Sequence, residues 1–487
     1  MDLTLNDPSL LTGKSYINGQ WSNADNEATL DIVNPANGAH ISKVACCGMR
    51  ETRRAIESAE QAQKLWQKKT AKERAHYLRR IYELMMENQE DLARILTAEQ
   101  GKPLAEARGE IAYSASYFEW FAEEGKRLYG DTIPATDSSK RILVTKQGIG
   151  VVACITPWNF PSAMLGRKIA PALAAGCTVV CKPANATPFS ANAMALLAER
   201  AGIPAGVINI LCGYTREIGD ELTRHPSVRK LTFTGSTPVG KHLISQCATT
   251  VKRTSMELGG NAPFIVFDDA DIDEAVSGAM SSKFRNAGQT CVCTNRILVQ
   301  ENIYDLFIEK LTAAVKQLKL GDGFEDKTNI GPLIDNKAAN AVCEMISDAV
   351  DKGATVQCGG QRSELDGAFV EPTVLGNVNN EMRVFREEIF GPIAPVSKFS
   401  NEQEAISMAN DSEFGLAAYF YTRDIGRIWR VGEALEYGII GINEGIISTE
   451  VAPFGGMKES GNGREGSKYG LDDYVEIKYL CMGGLDK

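Results

Sequence analysis

The stretch Gly288-Gln289-Thr290-Cys291-Val292-Cys293 places two thiols two residues apart, directly after a Gly-Gln-Thr turn. Three chemistries compete for such a pair: metal ligation, a redox couple, or one nucleophile with a neighbour. A zinc site needs further cysteine or histidine ligands at close spacing. The four histidines, His40, His76, His225 and His242, are scattered along the chain, so no metal is expected. Cys-x-Cys also lacks the two-residue gap of a redox helix motif. A cysteine–histidine pair stays open, since such partners meet only in space. So does a packed, inert thiol.

Other stretches raise Cys291 above an inert thiol. Thr156-Pro157-Trp158-Asn159-Phe160-Pro161 follows the apolar run "GVVACI". Residues just past a strand in an open α/β sheet lie where ligands bind, and Asn159, held between two prolines, can aim an amide N–H at a developing oxyanion. Lys182 also lies just past a strand, in "CTVVCKPANATP". "FTGSTPVG", from Phe233 to Gly240, has Gly235 and Gly240 around a strand-to-helix junction, where backbone amides would face a diphosphate. It lacks the full Gly-x-Gly-x-x-Gly fingerprint. Glu257 in "MELGGN" follows a β-like stretch; a carboxylate there either pairs structurally or acts as a general base. "EEIFGP" contributes Glu388 and Phe390, and "PFGGMKESGNGREG" a second glycine-rich loop.

The elements that carry these residues read as alternating strands and helices. Positions from about 50 to 125 are helical in pattern, and Gly101 with Pro103 closes the second long helix. Strand-like runs then alternate with helices near 162–174, 189–201, 215–223 and 238–248. This spacing implies parallel βαβ units and a doubly wound sheet. The second half repeats the alternation less regularly, with strands at "APFIVF" and "EFGLAAYFYT" and a helix around Tyr304 to Leu311. The tail "DDYVEIKYLCMGG" alternates like a lone strand, which either pairs across subunits or extends a sheet of its own chain.

A chain of 487 residues is too long for one ordinary core, so two or three domains are expected. With 44% apolar and 23% charged residues the composition is ordinary for a soluble globular protein. The formal charge of −10 disfavours nucleic acid or an anionic membrane as partner. "MDLTLNDPSLL" has no positive n-region, and the longest apolar run, Ile169 to Cys181, is too short to span a bilayer. Twelve cysteines without an export signal suit reduced thiols in the cytoplasm.

Taken together, "TPWNFP", "FTGST", "MELGG", "GQTC" and "EEIFGP", in this order, resemble the aldehyde dehydrogenase superfamily over essentially the whole chain. Within it, "KFRNAGQTCVC", "GLAAYFY", "NEGIIS" and "GREGSKYG" are similar to the succinate-semialdehyde dehydrogenases. The resemblance implies an α/β fold with a Rossmann-like cofactor domain (1–125 and 147–257) and a catalytic α/β domain (258–460). A small β element for oligomerisation (126–146 and 461–487) completes it, in a homotetramer or homodimer. It makes Cys291 the nucleophile, Asn159 with the Cys291 amide the oxyanion hole, and Glu257 the base that activates water. Thr156, Pro157, Trp158, Lys182, Asn185, Gly235, Ser236, Gly240, Glu388 and Phe390 would hold the nicotinamide cofactor. Of these, Lys182 and Glu388 would hold the riboses and Ser236 the diphosphate.

The implied substrate is succinate semialdehyde, with glutarate semialdehyde one methylene longer. Its carboxylate calls for a fixed cation, and Arg167 and Arg285 match, with Ser448 adding a hydroxyl. NAD-preferring relatives have a glutamate three residues after the lysine; here that position is Asn185. Losing that anion removes repulsion toward a 2′-phosphate, so NADP is expected ahead of NAD. Asn462 stands where the family usually has leucine. In some resembled enzymes a neighbouring thiol closes a disulfide that stops activity, which the spacing extends to Cys291 and Cys293.

Overall fold

The computed structural model describes residues 3–485; Met1, Asp2, Asp486 and Lys487, the outermost residues of the expected domains, lie outside the described residues. Four helices precede the first parallel strand: Met49–Trp66, Ala71–Glu87, Gln89–Gln100 and Leu104–Glu124. Thr70 starts the second, where its hydroxyl accepts from the Glu73 amide while Glu73 reaches back to the Thr70 amide. The periodicity alone reads residues 71–100 as one helix. The structure breaks it at Asn88 (φ −109°), whose side-chain amide donates to the Leu84 carbonyl and competes with helix continuation. Gly101, at φ 94°, ends the third helix in the left-handed conformation that glycine adopts without strain.

The first sheet has eight strands. Its parallel centre runs Ile208–Ile210, Thr178–Lys182, Val151–Ile155, Val228–Thr234, Arg253–Glu257. Chain order therefore reverses between Val151–Ile155 and Val228–Thr234, the switch point where open α/β sheets bind ligands. The register pairs Ile155 with both Lys182 and Phe233, and Thr234 with Glu257. All these strands consequently release their next residues at one carboxyl edge. Helix Ala163–Ala175, buried along its whole length, packs on this sheet and stops at Gly176.

A second sheet of seven strands has the order Thr355–Cys358, Thr373–Gly376, Ile393–Phe399, Thr294–Gln300, Ala262–Val266, Ala417–Tyr421, Ile439–Ile442. All neighbours but the first pair are parallel. Ala262–Val266 and Ala417–Tyr421 are buried at every position, as strands covered on both faces must be. Each buried Val, Ile or Phe side chain there stabilises by roughly 1.5–3 kcal/mol. Only four residues separate Glu257, the end of the first sheet, from Ala262, the start of the second. The carboxyl edge of one sheet thus faces the amino edge of the other, and Cys291 lies between them, just before Thr294–Gln300.

The tail strand Val475–Met482 pairs antiparallel with Arg141–Gly148 of its own chain, in unbroken register from Val475–Gly148 to Met482–Arg141. It lies at the edge of its sheet, so its other side is left without a neighbouring strand of its own chain among the described residues. With Asp131–Ile133 it makes a three-stranded sheet whose Ile477, Tyr479 and Met482 stay exposed. Gly461–Asn462 joins the first sheet instead, antiparallel to Arg253–Glu257.

Candidate active site

Cys291 is half-buried and lines two cavities, one on either side of its thiol. It follows a backbone segment in which Asn286 (φ 52°), Ala287 (φ 55°) and Gly288 (φ 76°) are all left-handed. For the two non-glycine residues that conformation is strained and needs surrounding contacts to hold it. Burial pushes the Cys291 thiol up to about 12, against the pull of Arg167, so the resting group is protonated.

The larger cavity, about 250 Å³, opens at the switch point of the first sheet. Pro157, Trp158 and Asn159 line one wall, Gly235 and Ser236 another, Glu388 and Phe390 a third. Asn159 is 3% exposed, and its Nδ2 donates to the Gln289 carbonyl at 3.0 Å, leaving one N–H of that amide for a reacting oxygen. Phe390, itself at φ 50°, meets the Trp158 ring edge-on at 5.6 Å. Glu388 accepts from the Gly260 amide at 3.0 Å, and burial pushes its carboxyl up to about 7.

These residues fit a dinucleotide. Ser236 caps helix Thr237–Cys247 without spending its hydroxyl on the helix. The Thr156 and Thr234 hydroxyls are buried with no partner. Lys182, held below the usual ammonium range by burial, donates to the Pro183 carbonyl and the Asn185 Oδ1. Asn185 is itself fixed by Gly213, whose carbonyl takes its Nδ2 at 2.8 Å. One expectation is corrected. The Gly235 amide donates to the Glu257 carbonyl and the Gly240 amide to the Ser236 carbonyl, so neither is free for a diphosphate. Gly240 serves packing: a Cβ there would lie 2.4 Å from Leu258, which lines the cavity.

The second cavity, only about 20 Å³, lies on the other side of Cys291. Arg167, Arg285 and Ser448 all line it, with Tyr113, Met164 and Phe454. Arg285 stands over the Phe160 ring at 5.3 Å and, among the described residues, has no carboxylate in ion-pair contact. Arg167 differs. It is 1% exposed, and its Nη2 lies 2.7 Å from Glu465, which also pairs with Lys168. The angle leaves Arg167 Nε and Nη2 without a directed hydrogen bond. Its charge is thus balanced while part of its fork stays unspent.

Glu257 and Cys293 both lie outside the two cavities. Glu257 is 2% exposed, lines neither cavity, and has one oxygen without a partner. Burial and the neighbouring Glu465 charge push its carboxyl well above the usual range, against Arg167, Lys168 and Arg464. Glu465 is held low: burial pushes it up, but the Arg167 and Lys168 charges outweigh that. Cys293 is buried outside both cavities, with its thiol against the Lys283 ammonium at 3.4 Å and the Thr294 carbonyl at 3.3 Å. Glu465 and Lys168 escape a reading of motifs. The visible signal for Lys168 was two adjacent cations, Arg167 and Lys168, inside an otherwise apolar helix.

The family model for the aldehyde dehydrogenase family matches residues 21–480. The chain is 60% identical to the NADP(+) succinate-semialdehyde dehydrogenase of Escherichia coli strain K12, over 99% of this chain and 100% of that one. It is also 60% identical to a 3-sulfolactaldehyde dehydrogenase of Pseudomonas putida, over 100% of both chains. A glutarate-semialdehyde dehydrogenase of Pseudomonas aeruginosa matches at 60% over 99% of this chain and 100% of its own. The Cys291 loop between two facing sheets, the cavity at the switch point and the match along nearly the whole length agree: this chain belongs to the aldehyde dehydrogenase family.

Proposed function

We propose that the protein oxidises succinate semialdehyde to succinate with NADP as the favoured cofactor and NAD as the alternative. The observation that carries the substrate reading is Arg285. It is a cation without an acid partner among the described residues, in the same small cavity as Cys291. Arg285 is only partly buried and makes no ion pair among the described residues, so an acid group on the aldehyde would meet a guanidinium free to bind it bidentately. The three relatives above are named for aldehydes that each carry an acid group. Glutarate semialdehyde, one methylene longer, is the competing substrate; such a difference is worth only about 1–3 kcal/mol.

The chain's own groups then divide the work. Cys291 gives its proton to solvent, and its sulfur bonds to the aldehyde carbon while the carbonyl π pair moves onto oxygen, forming the thiohemiacetal anion. The free N–H of Asn159 and the Cys291 amide stabilise the oxyanion. Bound NADP supplies the hydride acceptor. Cys291 then carries a thioester. Glu257, rotated from its place beside Glu465 toward the thiol and thereby ionised, takes a proton from the attacking water, and the carbon–sulfur bond breaks to release the acid and the Cys291 thiolate. Arg285, Arg167 and Ser448 hold the distal carboxylate. Thr156, Pro157, Trp158, Lys182, Asn185, Gly235, Ser236, Glu388 and Phe390 shape the cofactor site. In this reading Gly240 supports that site from behind, through Leu258.

We assign the first sheet and its helices to a cofactor domain, the second to a catalytic domain, and the three-stranded sheet to assembly. Its exposed Ile477, Tyr479 and Met482 suit a buried contact in a homodimer or homotetramer. Among the described residues no helix is long and apolar enough to cross a membrane. All twelve cysteines are unpaired, which suits the reducing cytoplasm. A Cys291–Cys293 disulfide would require the Cys293 thiol to leave Lys283. If Cys293→Ala is inactivated by peroxide as fast and as reversibly as the parent, that switch does not operate.

The function is tested by initial rates of NADPH formation from succinate semialdehyde, with NAD in parallel and Cys291→Ala as blank. A fast rate absent from the variant is expected. Activity confined to uncharged aldehydes would overturn the roles of Arg285 and Arg167.

A further inference from the structure

Two segments far apart in sequence meet at the reacting oxygen, the Asn159 turn and the Arg285–Cys291 loop. Both are held by a third segment, Gln100–Glu110, that touches neither cavity. Lys102 has no side-chain exposure. Its ammonium donates to Glu110 at 2.7 Å and to the Asn159 carbonyl at 2.8 Å, and sits 3.7 Å from the centre of the Phe160 ring. All three of its donor directions thus end on this one region. The other Glu110 oxygen accepts the Ser162 and Ala163 amides, at the start of the helix that carries Arg167.

Asn286 completes the link from the other side. Its Nδ2 donates to the Asn159 carbonyl at 2.9 Å and to the Gln289 carbonyl at 3.2 Å. Its Oδ1 accepts from Gln100 at 3.0 Å, and its backbone amide donates to Glu106 at 2.8 Å. The Gln289 carbonyl is the same atom that accepts from Asn159 Nδ2. Asn159, Asn286 and Gln289 therefore form a closed ring, fastened to Gln100, Glu106 and Lys102. Stability alone does not ask for this: a buried ion pair contributes little over a packed apolar pair, and Asn286 is left-handed at φ 52°. Such strain persists where the surroundings over-determine the backbone.

We propose that Lys102 and Asn286 are positioning residues that clamp the Asn159 turn to the nucleophile loop, so that the Asn159 amide and the Cys291 amide converge on one oxygen. The inference rests on the oxyanion role given to Asn159 above. A displacement of about 1 Å at such a site costs on the order of 10²-fold in rate, and loss of one oxyanion donor about 10²–10³-fold.

The test is a cycle of Asn159→Ala, Lys102→Met, Asn286→Asp and the double variants with Asn159→Ala. Each is assayed for kcat, for KM, and for alkylation of Cys291 by iodoacetamide, a displacement that develops no oxyanion. Lys102→Met and Asn286→Asp are expected to lower kcat about 10²-fold, with KM and the alkylation rate within about threefold. Added to Asn159→Ala, each should cost little more, because both act through the same amide. Fully additive losses in the doubles, or kcat and alkylation falling together, would overturn the clamp. Asn159→Ala with undiminished kcat would instead overturn the oxyanion reading itself. Asn286→Asp keeps the shape but turns the donor into an acceptor that repels the Asn159 and Gln289 carbonyls, so it too breaks the link and decides the question if Lys102→Met fails to fold.

Discussion

The two cavities that share the Cys291 thiol are built from different material. The larger, about 250 Å³, is walled by strand ends and tight turns of one sheet and by the Glu388–Phe390 loop of the other. The smaller, about 20 Å³, is closed by side chains, among them Tyr113, Phe160, Met164 and Phe454. It has room for about one water. A preformed cavity suits a cofactor that is used by many enzymes of one fold. A side-chain cavity that must open for its ligand suits a substrate, since each lining residue can discriminate. The first kind of site is fixed by topology and the second by choice of residues.

The largest effect removes the group that both cavities share. Cys291→Ala is expected to lower NADPH formation by on the order of 10⁴-fold or more, as loss of a catalytic nucleophile does. A residual rate within tenfold of the parent would mean that the two cavities do not meet at this thiol.

Next come the two arginines of the small cavity, which the sequence presents as equals and the structure does not. Arg285→Met is expected to cut kcat/KM for succinate semialdehyde about 10²-fold, the worth of a charge-assisted hydrogen-bond pair, and to leave butanal nearly unchanged. Arg167→Met breaks a buried ion pair with Glu465. It should destabilise the fold by about 3–5 kcal/mol and, unlike Arg285→Met, lower the rate for butanal as well as that for succinate semialdehyde. Kinetics on the two substrates with urea unfolding of each variant would check this. Identical behaviour of the two variants would erase the distinction.

The same contrast explains what the sequence could reveal. Asn159 and Ser236 follow strand ends, and any parallel sheet with this chain order brings such positions to one edge. Their meeting in the larger cavity was legible from alternation and turn chemistry, while Lys182 ends a neighbouring strand of the same sheet and lines neither cavity. Arg285 and Ser448 were legible only through resemblance, because no local pattern ties a helix end to a loop some 160 residues later. The Arg167–Glu465 pair, the turn of Cys293 toward Lys283 and the Lys102–Asn286 clamp were not legible. Each is a side-chain contact across more than one element, and periodicity carries no information about it. The break at Asn88 was missed for a local reason: one side-chain amide outcompetes a helix whose apolar pattern continues without interruption.

On the cofactor side the effects should be smaller, because several groups share the ligand. Asn185→Glu would set a carboxylate where the 2′-phosphate is expected, next to Lys182. The KM for NADP should rise about tenfold while that for NAD does not, the signature of like-charge repulsion. Equal change for both cofactors would mean that the variant disturbs Lys182 and not the phosphate.

The smallest effect is a titration. Burial pushes the Glu388 carboxyl up to about 7, opposed by the Gly260 amide. An ionised carboxylate accepts a ribose hydroxyl more strongly than a protonated one. The KM for the cofactor should therefore fall as pH rises through about 7, by about fivefold, the difference of roughly 1 kcal/mol between the two kinds of bond. Stability runs the other way. A carboxyl raised from its unfolded value of 4.5 contributes fully below that pH, and the contribution is lost as pH rises through about 7. Tighter cofactor binding and weaker folding should thus appear over the same pH interval. Measuring both with NAD removes the titration of the 2′-phosphate. Glu388→Gln should flatten both slopes, and a cofactor KM that keeps its pH dependence in that variant would move the titrating group elsewhere.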